Sequence, residues 1–241
     1  MSYVFTRQEI FAVRQFWPLI TGNAASAGVT PFVLVGLGSR ESNWGLGLTP
    51  PGAAGTGDFK PRPPRPDLGR TGSRPPDGLG FGRGLLQLDW DAQPFARNNG
   101  WKNPVANIAE GSKVLAQCRA FFQTRMPSLG WLGLLRASLA AYNHGPGNVF
   151  RNIQLNGITG VDVGTTGNNY SMDVLDRASS FENLHAFAPD EVAEVDIGGD
   201  PQAAPSLFED VLHQAGLGGT DWPAQPTLYS LSGSPYSKAS A

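Results

Sequence analysis

A chain of 241 residues, 40% of them apolar, is long enough for one sizeable core, so one domain is expected. Its formal charge of −2 excludes a general affinity for nucleic acid, whose binders carry a strong basic excess. No apolar run approaches the roughly 18 residues that a membrane span needs. The 31 glycines and 20 prolines predict long loops. With a single cysteine, Cys118, no intramolecular disulfide is available, and the thiol reads as core packing.

In chain order, Thr6 and Glu9 have capping-box spacing, and Ile10, Phe11, Val13, Phe16 and Trp17 follow at helical spacing, which predicts a helix from Arg7 to about Ile20. Glu9 and Arg14 interrupt this apolar stretch, so it does not read as a signal peptide. Thr30-Pro31 is an N-cap followed by proline at the first helical position. The helix it opens, PFVLVGLGSRES, is apolar almost all round and delivers Glu41 at its C-terminal end. Pro50 to Gly80 has no sustained periodicity and is expected as a loop. Lys60, Arg62, Arg65, Arg70 and Arg74 make its middle basic, and a solvated extended loop is favoured over a contact with an anionic polymer. Asn103-Pro104 opens a helix running to about Arg125, and Met126-Pro127 ends it. Trp131 to Tyr142, apolar on nearly every side, marks a central helix. Pro146 can open a short helix, and Asn168 to His185 carries Tyr170, Val174, Ala178 and Phe181 at helical spacing. Beyond residue 188 lies an acidic, Gly/Pro-rich extension with one expected short helix, Ser206–Leu217.

Four segments carry chemistry in a fixed order: ESNWG (Glu41–Gly45), GFGRGLLQLDW (Gly80–Trp90), AAYNHGPGNV (Ala140–Val149) and VDVGTTGNNYSMDVLDRA (Val161–Ala178). Together they resemble the goose-type lysozymes and the related soluble lytic transglycosylases, over about residues 31 to 187. The last segment is closer to the goose type. The resemblance implies a mainly α, lysozyme-like single domain over residues 1–188. It also makes the loop at 50–80 an insertion beside the site.

Glycosidic cleavage needs an acid to protonate the departing oxygen and stabilisation of an oxocarbenium-like transition state. Glu41 is the candidate acid. Burial and the negative pole at a helix C-terminus both disfavour its ionised form, which pushes its pKa toward a range useful near neutral pH. The resemblance assigns the holding of an attacking water to Asp89 and, across a one-residue shift, to Asp77, with Asp91 as a spare. A helix-capping role for Asp89 stands beside that assignment. Gln87, Tyr142 and Asn143 match positions that line the sugar cleft, and Tyr170 matches a tyrosine near the acid. Tyr142 also reads as a core aromatic, and Tyr170 as part of its helix's apolar face. His144 is placed beside the cleft.

The expected activity is therefore muramidase action on the MurNAc–GlcNAc β-1,4 bond of peptidoglycan glycan strands. The alternatives are a lytic transglycosylase, which forms anhydro sugars through the substrate's own 6-hydroxyl, and an inactive wall-binding or virion module. No cofactor is implied; some relatives use calcium near the cleft, and the Asp/Asn density permits such a site without demanding it. A monomer is expected, and an inhibitor or immunity protein is a conceivable partner. Synthesis in the cytoplasm without a Sec signal, and release by lysis, virion delivery or non-Sec secretion, are the expectations for location.

Overall fold

The computed structural model describes residues 3–187; the acidic extension and the helix expected over 206–217 lie outside the described residues. Six α-helices dominate these residues: α1 (Arg7–Ala27), α2 (Pro31–Ser42), α3 (Pro104–Arg125), α4 (Trp131–His144), α5 (Pro146–Asn156) and α6 (Tyr170–Phe187). This is the α-rich lysozyme-like domain that the sequence implied. None of them is by itself long and apolar enough to cross a membrane.

Local chemistry sets the helix starts. The Thr6 hydroxyl accepts from Glu9 N at 3.2 Å, and the Glu9 carboxylate accepts from Thr6 N at 3.1 Å, completing the capping box. Thr30 and Asn103 cap α2 and α3, each followed by proline. Helix α1 continues seven residues past the expected Ile20. Thr21 and Asn23 turn their side chains back onto helix carbonyls, Ala24 and Ala27 pack on the core, and Gly28 ends the helix in the left-handed region at φ 68°.

Helix α4 lies between two hydrophobic clusters. Leu135 and Leu139 face a cluster built mainly from α1, α2 and α6, while Ala137, Ala140 and Ala141 face one built from α3 and α5, with Cys118 inside it. Burial pushes the Cys118 thiol up to about 12, which suits the packing role read from the sequence. Helices α2 and α6 cross at Gly36, where a Cβ would stand 2.3 Å from the Val174 carbonyl oxygen. Only glycine allows this approach, and it brings the end of α2 beside the start of α6.

Pro50–Gly80 is mostly loop, as expected, with one correction. Its Thr56–Gly57 forms β1, which pairs antiparallel with β2 (Gly82–Arg83), itself paired with β3 (Leu88–Asp89). Two residues are too few to show periodicity, so this strand left no signal in the sequence. The buried Asn107 side chain pins the β2–β3 hairpin to α3, accepting from Leu86 N at 3.0 Å and donating to the Arg83 carbonyl at 2.9 Å.

Candidate active site

Glu41 occupies the last turn of α2, partly buried. Burial pushes its carboxyl up to about 7; a hydrogen bond from Tyr170 and the charge of Arg40 oppose that rise without cancelling it. The rest of the ESNWG segment fastens this helix end. Ser42 donates from Oγ to the Leu85 carbonyl at 2.7 Å, which ties α2 to the hairpin, and accepts from Gly45 N at 3.0 Å. Trp44 folds back over Gly38 and donates to the Val35 carbonyl at 3.0 Å.

Two tyrosines flank Glu41. Tyr170, 1% exposed at the first turn of α6, donates its hydroxyl to Glu41 Oε1. Tyr142, half-buried on α4, packs against both clusters and donates to the Leu86 carbonyl at 2.6 Å. Its packing matches the core reading. Burial, and then the negative charge of Glu41, raise both phenols well above their ordinary range, so they act as neutral donors.

The turn before α6 is built by residues that the motif comparison left without a role. Asp162 is buried; it accepts from Ser171 N at 2.8 Å and Ser171 Oγ at 2.6 Å and is 3.2 Å from Arg136, which fixes the start of α6 and with it Tyr170. Arg40 donates to the Thr166 carbonyl at 3.0 Å, lies 2.9 Å from Asp173, and places its guanidinium 5.5 Å from the Tyr170 ring centroid. Asn143 is exposed, with its carboxamide paired to Thr166 N at 2.9 Å and Thr166 Oγ1 at 3.3 Å. His144 packs its ring against Gly164, where a Cβ would stand 2.7 Å from Nε2.

The hairpin presents the other carboxylates. Gln87, at φ 46°, donates to the Gly84 carbonyl at 2.7 Å and lies over the paired Gly57 and Gly82, whose Cβ atoms would each fall within 2.2 Å of its Oε1. The two glycines leave the slot that this side chain fills. Asp89 accepts at Oδ1 from Asp91 N and Ala92 N, both at 2.9 Å, which closes a turn; the helix cap read from the sequence does not form, because the next helical turn starts at Pro94 after Gln93. Its Oδ2 lies 2.5 Å from Arg62 Nη2. Asp77, 46% exposed, accepts at Oδ1 from Leu79 N at 3.1 Å and Arg83 Nη2 at 2.9 Å. Burial works to raise its pKa, but these two partners outweigh it and hold the carboxyl below the ordinary range. Asp91 is claimed by Arg70, whose Nε and Nη2 each lie 3.0 Å from a carboxylate oxygen.

The basic middle of the insertion is therefore not a solvated extended loop throughout. Arg70 is fully buried and Arg62 partly so, with guanidinium groups 5.0 Å and 4.0 Å from the Phe81 ring centroid. Carboxylates at Asp58, Asp89 and Asp91 draw them inward, while Lys60, Arg65 and Arg74 remain exposed. Among the described residues, no three of His, Cys, Asp and Glu come together as metal ligands.

A model of the Lysozyme g family matches residues 72–184. Lysozyme g of Struthio camelus is 29% identical over 182 residues, covering 75% of this chain and 72% of that one. Lysozyme g of Gallus gallus is 26% identical over 181 residues, 75% and 70%. These matches make the chain similar to the goose-type lysozymes over about three quarters of its length. Lysozyme g of Takifugu rubripes is 29% identical over 165 residues, 66% and 70%. The family model begins after Glu41 and Arg62, so the acid side of the site rests on the geometry above.

Proposed function

We propose that this protein, similar to the goose-type lysozymes, is a muramidase that cleaves the MurNAc–GlcNAc β-1,4 bond of peptidoglycan with inversion. Its similarity to Lysozyme g proteins supports a glycoside hydrolase. Glu41 donates the proton to the departing oxygen. The observation that carries this reading is its carboxyl, pushed up to about 7 by burial and held by the Tyr170 hydroxyl. An acid of that strength is about half protonated at neutral pH and still gives up its proton. Asp89 and Asp77 hold the attacking water, and Gln87, Tyr142, Asn143, Tyr170 and His144 border the sugar site.

A lytic transglycosylase is the second reading, favoured by one observation: both oxygens of Asp89 already have partners. Mass spectrometry of digested peptidoglycan separates the two. Hydrolysis gives reducing ends, and the intramolecular route gives anhydro-muropeptides lighter by one water. Wholly anhydro products would overturn the muramidase reading.

A further inference from the structure

Arg62 stands between the inserted loop and the hairpin. Its guanidinium reaches Asp89 Oδ2 at 2.5 Å, Asp58 Oδ2 at 2.6 Å and Asp91 Oδ2 at 3.2 Å, and lies 4.0 Å from the Phe81 ring centroid. Docking the loop does not depend on the Asp89 contact. Arg70, 1% exposed, already fastens the loop to Asp91 and donates to the Pro63 and Gly72 carbonyls at 2.8 Å, while Arg62 N donates to the Ser73 carbonyl at 3.0 Å. Arg62 and Asp89, by contrast, keep 29% and 33% of their side chains exposed. The pair sits at an open edge, where a water can reach it.

A carboxylate offers about four acceptor positions. At Asp89, two on Oδ1 are taken by Asp91 N and Ala92 N, and one on Oδ2 by Arg62. The backbone bonds hold one oxygen, and the charge-assisted bond holds the other, so the plane of the group is set at both ends with one acceptor position left. We propose that Arg62 is a positioning residue: it orients Asp89 so that the remaining acceptor position holds the attacking water. The inserted loop then governs whether water or the substrate's 6-hydroxyl takes the glycosyl group. This rests on the reading in which Asp89 holds that water.

The test compares Arg62→Met, Arg62→Lys, Asp89→Asn and the Arg62→Met/Asp89→Asn pair by kcat, KM, thermal melting and the share of anhydro products from the same peptidoglycan. The expected result for Arg62→Met is a kcat lower by roughly ten- to a hundredfold, KM within about threefold, and a larger anhydro share. Arg62→Lys, which keeps a charge on Asp89, recovers part of both. In the Asp89→Asn background, Arg62→Met costs no more than about twofold further. Three results overturn the proposal and leave the Asp89 reading standing: a crippled Asp89→Asn beside an Arg62→Met with unchanged kcat and products, an Arg62→Met that is faster than the wild type, or an undiminished Arg62→Met loss in the Asp89→Asn background. A fully active Asp89→Asn that makes reducing ends overturns both. Should Arg62→Met fail to fold, Arg62→Gln takes its place: the same shifts support the proposal, and unchanged kcat and products overturn it.

Discussion

The two sides of the candidate site treat carboxylates in opposite ways. On the helical side, Glu41 is enclosed between Tyr142 and Tyr170, and the nearest cation, Arg40, spends its guanidinium on Asp173 and the Thr166 carbonyl. Burial outweighs the Tyr170 hydrogen bond and the charge of Arg40, and the carboxyl rises to about 7. On the hairpin side, Arg83 contacts Asp77, Arg62 contacts Asp89, and Arg62 and Arg70 contact Asp91. The same residue types are present on both sides; whether an arginine points at the carboxylate or past it separates Glu41, pushed up to about 7, from Asp77, held below the ordinary range. Helices suit the first task because packed side chains exclude water, and a short hairpin suits the second because backbone N–H groups just before and after it also face the carboxylates.

The largest expected effect comes from breaking the acid side. Glu41→Gln keeps the shape and can still accept from Tyr170, but has no proton to give. Turnover of peptidoglycan should fall by about 10²–10⁴-fold, measured by sacculus turbidity. Activity within threefold of the wild type would remove Glu41 from the reaction.

Breaking the hairpin side should cost less per residue, because the proposed reading has two aspartates share the water. Asp77→Asn and Asp89→Asn are each expected to lower the yield of reducing ends by roughly ten- to a hundredfold with little change in KM. Proton donation by Glu41 survives in both, so the residual products should shift toward the anhydro form. If Asp77→Asn alone leaves rate and product masses unchanged, the water belongs to Asp89 alone.

How much of this contrast could be read from the chain depended on the range of the interactions. Thr6 with Glu9, Thr30-Pro31 and Asn103-Pro104 declared their helix starts because a cap involves only neighbours. Glu41, Tyr142 and Tyr170 were legible because four motifs stood in a familiar order, and the structure does bring the three together. The contact of Arg62 with Asp89 spans 27 positions and depends on an aperiodic loop folding back over Phe81, so a basic stretch read only as solvated. Asn143 matched a sugar-lining position, but its carboxamide closes the turn at Thr166, a pairing that no spacing rule indicates. Asp162 went unassigned for the same reason: its partners Ser171 and Arg136 lie 9 and 26 residues away.

The enclosure of Glu41 also has a cost in stability, which sharpens the contrast. Its carboxyl is at about 7 in the fold against an ordinary 4.5. A raised acid favours folding fully below about pH 4.5, and that advantage is lost as pH rises through 7. Glu41→Gln cannot ionise. It should therefore melt close to the wild type at pH 4 and above it at pH 8, by at most ~3 kcal/mol in unfolding free energy, since each pKa unit corresponds to about 1.4 kcal/mol. Equal melting of the two proteins across that range would mean that Glu41 is not held protonated by burial.

The smallest effect isolates one bond. The Tyr170 hydroxyl donates to Glu41 Oε1, and this bond favours the ionised carboxylate, so it works against the rise that burial causes. Tyr170→Phe removes the donor and keeps the ring that fills the core. Losing a bond that favours the charged form must raise the carboxyl further, so Glu41 stays protonated to higher pH. The alkaline limb of the kcat profile, set near 7 in the wild type, should move upward by up to about one unit, with kcat below the limb reduced less than roughly tenfold. The measurement is a pH series on both enzymes with the same peptidoglycan. A limb that moves down would mean that the hydroxyl stabilises the protonated acid instead, and that the acid side relies on Tyr170 rather than on burial for its strength.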